Sequence, residues 1–492
     1  MINYISTRGK SESKRSAEAI IQGIANDKGL FVPDRIPLLS FKPEQKIGST
    51  YKYVAFHVMQ SFLQDFTEEE LKKCIDGAYE GTFESVDVAP LVKTKKSYFL
   101  ELFHGRTAAF KDLALSIMPY LMLTSMMKEN EDKRVAILTA TSGDTGKAAL
   151  EGFSDVPGTE IIVFYPKDGV SQVQERQMIT QMGKNTHVFA IYGNFDDAQT
   201  GVKRLFDDEG FAASAAAKGY RLSSANSINI GRLIPQVVYY VYAYIKMIEN
   251  GAVQAGAPIN IVVPTGNFGN ILAAYYAREM GIPVNRFICA SNRNKVLTEF
   301  INTGVYDANR EFYMTNSPSM DILISSNLER LLYHLSGGDS AAVLRMMESL
   351  GACGRYEIDG TIRDGLKSFY GGCADVEETN AAIGRLYEEE KYLIDTHTAV
   401  AYKVYEDYRK ESGDETPTVI AATANPYKFA DSVAASIGLA VDADGFANIR
   451  AVNASTGVRV PDSLRNLEGK EVRHRGTISI DSMAEAVLNS LA

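Results

Sequence analysis

The 492-residue chain is poor in the features that mark disulfide scaffolds, metal centres and nucleic-acid surfaces. Its four cysteines, Cys74, Cys289, Cys353 and Cys373, are scattered, with no C-x-x-C and no paired spacing. They read as free, buried thiols in a reducing compartment. The six histidines form no H-E-x-x-H or other ligand cluster, so no metal is expected. Lysine and arginine total 51 against 61 carboxylates, a net charge of -10, which argues against the basic face of a general nucleic-acid binder. No apolar run is long enough to cross a bilayer; the greasiest, Val237 to Ile245, is short and tyrosine-rich and predicts a buried helix. The first sixteen residues carry Arg8, Lys10, Lys14 and Arg15 but no apolar segment, so no secretory signal is read there and a cytoplasmic protein is expected. A G-x-G-x-x-G fingerprint and a Gly-Lys-Ser/Thr loop are also missing from the glycine-rich turns, which disfavours dinucleotide oxidoreductases and nucleoside triphosphatases.

What is present is a long alternation of strand and helix. Up to about residue 88 the pattern is helical, with apolar faces over 16–24 and 51–63 and a fresh helix start at Thr67, capped by its hydroxyl and followed by Glu68, Glu69 and Glu70. Beyond 89, strands are predicted at 98–103, 135–138, 160–165, 187–192, 259–263, 286–290 and 418–422. Helices are predicted at 113–127 (with Pro119 as a kink), 145–152, 171–182, 196–208, 230–249, 270–280 and 428–437. Apolar, β-branched strands between helices imply mainly parallel sheets covered on both faces. The last thirty residues read as a surface strand and a final helix.

Four turns carry chemistry. Lys111 follows a strand and opens a helix in His104-Gly-Arg-Thr-Ala-Ala-Phe-Lys-Asp112, where Ala108, Ala109 and Phe110 exclude water. Desolvation lowers the pKa of such an amine and makes it a nucleophile and a base, the property that pyridoxal phosphate enzymes need of their lysine. By itself the stretch is read as a solvated lysine, because lysine is usually exposed; two further stretches reverse that. Gly266-Asn267-Phe268-Gly269-Asn270 joins a strand to a helix start whose free amides suit a phosphate, although a plain βα turn has the same pattern. Thr141-Ser142-Gly143-Asp144-Thr145 repeats the arrangement with hydroxyls, as a second anion site or a simple cap. At Thr423-Ala-Asn-Pro426 a threonine hydroxyl stands where it can meet a pyridine nitrogen, or again cap a turn.

These motifs, with Ser6-Thr-Arg-Gly9, Gly29-Leu-Phe-Val-Pro33, Asn226-Ser227-Ile228-Asn229 and Asp395-Thr-His-Thr-Ala-Val400, stand in an order that resembles the threonine synthase family over nearly the whole chain. These are fold-type II pyridoxal phosphate enzymes of the tryptophan synthase β-like group. The resemblance implies a helical N-terminal domain (1–88) and a catalytic core (89–492). The core would hold two mainly parallel open α/β domains with the site between them: a large domain over 89–125 and 236–492, and a small one over 126–235. It implies Lys111 as the lysine that carries pyridoxal 5'-phosphate, Gly266, Asn267, Phe268, Gly269 and Asn270 around the phosphate, and Thr423 at the ring nitrogen. Thr141, Ser142, Gly143, Asp144, Thr145, Asn226, Ser227 and Asn229 would lie on the substrate side.

The implied reaction turns O-phospho-L-homoserine and water into L-threonine and phosphate, a lyase step closing threonine biosynthesis, in a monomer or homodimer. Two positions depart from the family pattern, Arg106 in place of proline and Asn425 in place of histidine. Arg106 reaches either a substrate anion or solvent. The alternatives are a phospholyase or dehydratase of the same fold, giving a 2-oxo acid, and a non-catalytic relative that binds a phosphorylated ligand.

Overall fold

The computed structural model describes residues 1–491. Two parallel sheets organise it. The larger has six strands in the spatial order Phe369–Cys373, Val284–Ser291, Ile259–Pro264, Thr418–Ala422, Tyr98–Glu101 and Leu91–Lys93. Only the last pair is antiparallel. The smaller has five parallel strands, Gly476–Ile478, Thr186–Ile191, Thr159–Pro166, Arg134–Ala140 and Tyr220–Ser223. The central strands Ile259–Pro264 and Thr418–Ala422 are buried at every position, which is why they read as continuous apolar runs.

Helix Ile230–Glu249 is buried on nearly every side, which accounts for its apolar composition all round and for its tyrosines in the core. No helix among the described residues is long and apolar enough to cross a membrane.

The N-terminal part supplies an antiparallel ribbon, Tyr4–Ser6 with Phe31–Pro33, and helices Ser16–Gln22, Tyr51–Phe62 and Glu68–Tyr79. Thr67 caps the last of these, and Glu70 completes the box, as the sequence predicts. Its apolar side chains run without interruption into the core of the larger sheet, so a unit that is distinct in sequence is fused in packing.

Four expectations change. The helix predicted over 113–127 is two helices, Lys111–Leu115 and Met118–Lys128, with Pro119 in the first turn of the second; a proline without an N–H fits a helix start and breaks a helix interior. The segment 428–437 begins as a 3-10 turn, Pro426–Phe429, before helix Ala430–Ser436. The C-terminal strand and helix, grouped with the larger domain from sequence, add to the smaller one: Gly476–Ile478 pairs with Phe189–Ile191, and Met483–Ser490 joins that sheet's core. Order in the chain does not specify which sheet edge a short strand joins. Finally, all four cysteines are free, but only Cys74 and Cys289 are buried, and Cys353 is exposed.

Candidate functional site

Backbone pairing brings the lysine turn onto the end of strand Thr418–Ala422. Ala109 bridges Ala424, the Phe110 amide donates to the Thr423 carbonyl (2.8 Å), and the Asn425 amide donates to the Ala108 carbonyl (3.0 Å). The turn is pinned from inside by Asp112, whose carboxylate accepts from the Thr107 amide (2.8 Å) and hydroxyl (2.6 Å). Burial raises this carboxyl to about 6 against those two donors. Gly105 lies so close that a Cβ there would meet the Asp112 side chain at 2.5 Å.

Lys111 is 9% exposed. Its Nζ lies 3.5 Å from Ser319 Oγ and 3.7 Å from Asp144 Oδ2. Burial drives the amine below the ordinary lysine range; Asp144 opposes this, and Lys428 and Arg232 add to it. Asp144 opens helix Asp144–Phe153 and is held at 2.7 Å by Lys428 Nζ and at 2.9 Å by Gln174 Nε2. Burial alone would raise its pKa, but the Lys428 and Lys111 charges outweigh that and hold it far below the usual carboxylate range. Asp144 thus sits between two lysines, whereas the sequence reading put it toward substrate.

Ser319 touches both halves of the site. A Cβ on Gly266 would stand 2.6 Å from the Ser319 carbonyl oxygen, while the Ser319 hydroxyl is the one near Lys111. The lysine and the glycine turn are therefore one residue apart in space. Phe268 adopts a left-handed φ of 64° and caps helix Gly269–Glu279, leaving first-turn amides without helical partners. Asn270 accepts from the Tyr240 hydroxyl, while its own Nδ2 is buried with no acceptor. An orphaned donor and free amides at a helix start fit an anionic group such as a cofactor phosphate.

The cup is braced from outside. Ser325 Oγ donates to the Gly266 carbonyl (2.7 Å), and Asn327 Nδ2 donates to the Asn267 carbonyl (2.9 Å) and to Ser227 Oγ (3.1 Å). Fully buried Arg330 holds Asn327 Oδ1 (2.5 Å), the Ile228 carbonyl (2.5 Å) and the Phe31 carbonyl (2.9 Å). Next to it Glu329 accepts from Thr7 and Arg8. The N-terminal motifs around Arg8 and Phe31 thus act as supports for the cup.

Thr423 is buried beside the lysine turn, its amide donating to the Thr398 hydroxyl (3.3 Å). Behind it, Thr398 donates to Asp395, and Asp395 Oδ2 stands 2.8 Å from His397 Nδ1. His397 Nε2 accepts from the Ser319 amide (3.2 Å), so the ring proton belongs on Nδ1.

On the other side, Ser142 and Thr145 are half-buried, and Ser142 walls a cavity of about 740 Å³ with Gln174, Pro318 and Phe429. Gly143 has φ 133°, and a Cβ there would strike the Gln174 amide at 2.5 Å. Thr141 differs from expectation: its hydroxyl accepts from the Gly143 (2.9 Å) and Gly146 (2.8 Å) amides and so shapes the loop from within. Asn229 differs too. It is fully buried, caps helix Ile230–Glu249 through the Gly231 amide (2.9 Å), and donates to the Ile20 carbonyl (2.9 Å). Asn226 and Ser227 are half-buried, and Ser227 supports Asn327. Arg106 is half-exposed, 3.8 Å from Glu151, on the wall of a second cavity. Asn425 is buried and caps the Pro426–Phe429 turn through the Tyr427 amide (3.1 Å).

Three residues carry no motif signal. Ser319 lies in an unpatterned segment. Lys428 reads as an ordinary lysine after a proline turn. Arg232 is a lone charge in the first turn of an apolar helix, which is itself the signal that would have found it. Its guanidinium is 3% exposed, donates to the Ala225 carbonyl (2.7 Å), and leaves Nε orphaned. No carboxylate pairs with it among the described residues, and burial lowers its pKa to about 10, against Tyr239.

A buried lysine facing a glycine-bound helix start, in a chain of two parallel α/β sheets, defines the fold-type II class of pyridoxal-phosphate-dependent enzymes. Residues 86–361 match the family described as "Pyridoxal-phosphate dependent enzyme", residues 3–79 match "Threonine synthase N terminus", and residues 398–478 match "Threonine synthase, C-terminal". The chain belongs to the threonine synthase family.

Among its relatives, the threonine synthase of Pseudomonas aeruginosa is 39% identical over 88% of this chain and 90% of its own length. Threonine synthase-like 1 of Pongo abelii is 40% identical over 86% of this chain, and the chain spans only 58% of that longer relative. The crystal structure of PLP-bound threonine synthase from Brucella melitensis superposes with a TM-score of 0.88 at 35% identity, covering 100% of this chain and 99% of that one.

Proposed function

We propose that the protein is a threonine synthase, converting O-phospho-L-homoserine and water to L-threonine and phosphate, and that it works in the cytoplasm as a monomer or homodimer. The observation that carries this reading is the buried Arg232, which has no carboxylate partner among the described residues, leaves Nε without an acceptor, and whose charge acts on Lys111. The site then has two places for anions around one amine, which suits a phosphorylated cofactor meeting a phosphorylated substrate.

Pyridoxal phosphate, when bound, supplies an electron sink for a carbanion beside the substrate nitrogen. Lys111 would anchor it and, as a free amine, would be the base that takes the Cα proton, because burial favours its neutral form. The 266–270 amides and Asn270 Nδ2 would hold the cofactor phosphate, and the Thr423 hydroxyl would be the partner for the ring nitrogen. Arg232, the Ser142 and Thr145 hydroxyls and the first-turn amides of helix Asp144–Phe153 receive the departing phosphate as charge builds on it. Phe110, whose ring centre lies 4.9 Å from Lys111 Nζ, and Phe429, on the cavity wall, would limit the water that reaches the reacting carbons.

The test is product analysis of purified enzyme with O-phospho-L-homoserine. Threonine and phosphate in equal amounts support the proposal. Ammonia with 2-oxobutyrate would replace it with a phospholyase or dehydratase, and binding without turnover with a ligand-binding relative.

A further inference from the structure

The site holds a second buried amine that the reaction above does not use. Lys428 is 1% exposed, and its Nζ is committed twice, to Asp144 Oδ1 at 2.7 Å and to the Thr107 carbonyl at 2.9 Å. Those partners come from different parts of the fold. Asp144 opens a helix of the smaller sheet's domain, Thr107 begins the lysine turn, and Lys428 lies in the turn after strand Thr418–Ala422. One ammonium therefore joins the two domains at the reacting lysine. Lys111, by contrast, has Asp144 only at 3.7 Å, on the other carboxylate oxygen.

We propose that Lys428 is a positioning residue: it fixes Asp144 across the domain boundary and acts as its principal counter-ion, so that Lys111 is left free to give up its proton. The inference rests on Lys111 being the reacting amine but not on the identity of the substrate.

The charges that bear on the two lysines are few. Asp144 favours a protonated Lys111, while Lys428 and Arg232 oppose it. Asp112 feels the Lys428 charge from the lysine turn, with Glu151 beyond it. If Lys428 becomes neutral, Asp144 has only Lys111 to pair with, and the proton stays there. A single charge roughly 6–10 Å away at an effective dielectric of about 20 is enough to move such a titration by about one to two pH units.

The test is a pH titration of the visible absorbance of the cofactor in the full-length holoenzyme, which reads the proton on the Lys111 nitrogen that anchors it, with thermal melting run in parallel. Lys428→Met is expected to raise the midpoint by about one to two pH units. Lys428→Arg should keep it near wild type, because a guanidinium retains the charge. Asp144→Asn should lower it, and Asp144→Asn with Lys428→Met should return it to within about half a pH unit of wild type, since both opposing charges are gone. An unchanged midpoint in Lys428→Met, with only a lower melting temperature, would make Lys428 a packing residue and overturn the proposal. If Lys428→Met does not fold, Asp144→Asn decides by itself: a midpoint that stays or rises overturns the proposal. Turnover does not enter this test, so a wrong substrate assignment would leave its outcome untouched.

Discussion

Gly266→Ala is the sharpest perturbation of the cup. The added Cβ would stand 2.6 Å from the Ser319 carbonyl oxygen, with the Met320 Cα next at 3.5 Å. An ordinary contact needs roughly 3.4 Å, so about 0.8 Å must be found by moving backbone. Neither side moves freely. The Gly266 carbonyl is held by Ser325 Oγ at 2.7 Å, and the Ser319 amide is held on His397 at 3.2 Å. Overpacking of this kind costs about 1–3 kcal/mol. Because the displaced atoms belong to the cup and to Ser319 beside Lys111, the cost falls on the bound state, and pyridoxal phosphate affinity should drop by about 5- to 150-fold, at 1.4 kcal/mol per factor of ten. The assay is absorbance-monitored dialysis of the variant against graded cofactor, with melting curves taken with and without it. Wild-type affinity in a folded Gly266→Ala protein would refute the contact argument and move the phosphate site away from residue 266.

Lys111→Ala should lose the visible cofactor band and turnover together; turnover at the wild-type rate would remove Lys111 from the reaction. Arg232→Met should lower kcat/KM for O-phospho-L-homoserine by roughly 30- to 4,000-fold, as the loss of a buried charge partner costs about 2–5 kcal/mol, while cofactor content stays unchanged. Ser142→Ala should weaken the same substrate more than the cofactor, and equal losses would contradict two separate anion positions. Arg330→Met should destabilise the fold by about 3 kcal/mol or more, because it strips donors from the buried Asn327, Ile228 and Phe31 acceptors; an unchanged melting temperature would show that the N-terminal brace is dispensable.

His334, buried beside Tyr276, is pushed down to about 4 by burial, with Arg330 adding to it. The unfolded chain therefore binds its proton first, and stability should fall from about pH 6.5 to 4 by up to about 3 kcal/mol through this group. His334→Gln should flatten that part of the melting profile.

Where local chemistry decides structure, the sequence was readable. Strand 418–422 and helix 230–249 have the predicted bounds, and Thr67 caps as its hydroxyl and Glu70 require. Glycine turns at 143 and 266 were legible because no side chain fits there. What stayed hidden depends on packing between distant segments. Lys428 and Asp144 are far apart in sequence, and nothing local to Pro426-Tyr-Lys-Phe distinguishes a fully buried ammonium from a surface one. Thr141 and Asn229 belong to binding-type motifs, yet their polar atoms are consumed by nearby backbone amides, an outcome equally compatible with their composition. Ser319 enters through a 3-10 turn without periodicity. The strand 476–478 is too short to announce which sheet it extends.

The central claim is that the amine at position 111, and not the more deeply buried one at 428, carries the cofactor. Borohydride reduction of the purified holoenzyme, followed by peptide mass spectrometry, tests it directly. The account predicts a pyridoxyl phosphate adduct on the peptide containing Lys111 and none on that containing Lys428. An adduct on Lys428, or no covalent adduct in a protein that still holds the coenzyme, would contradict it.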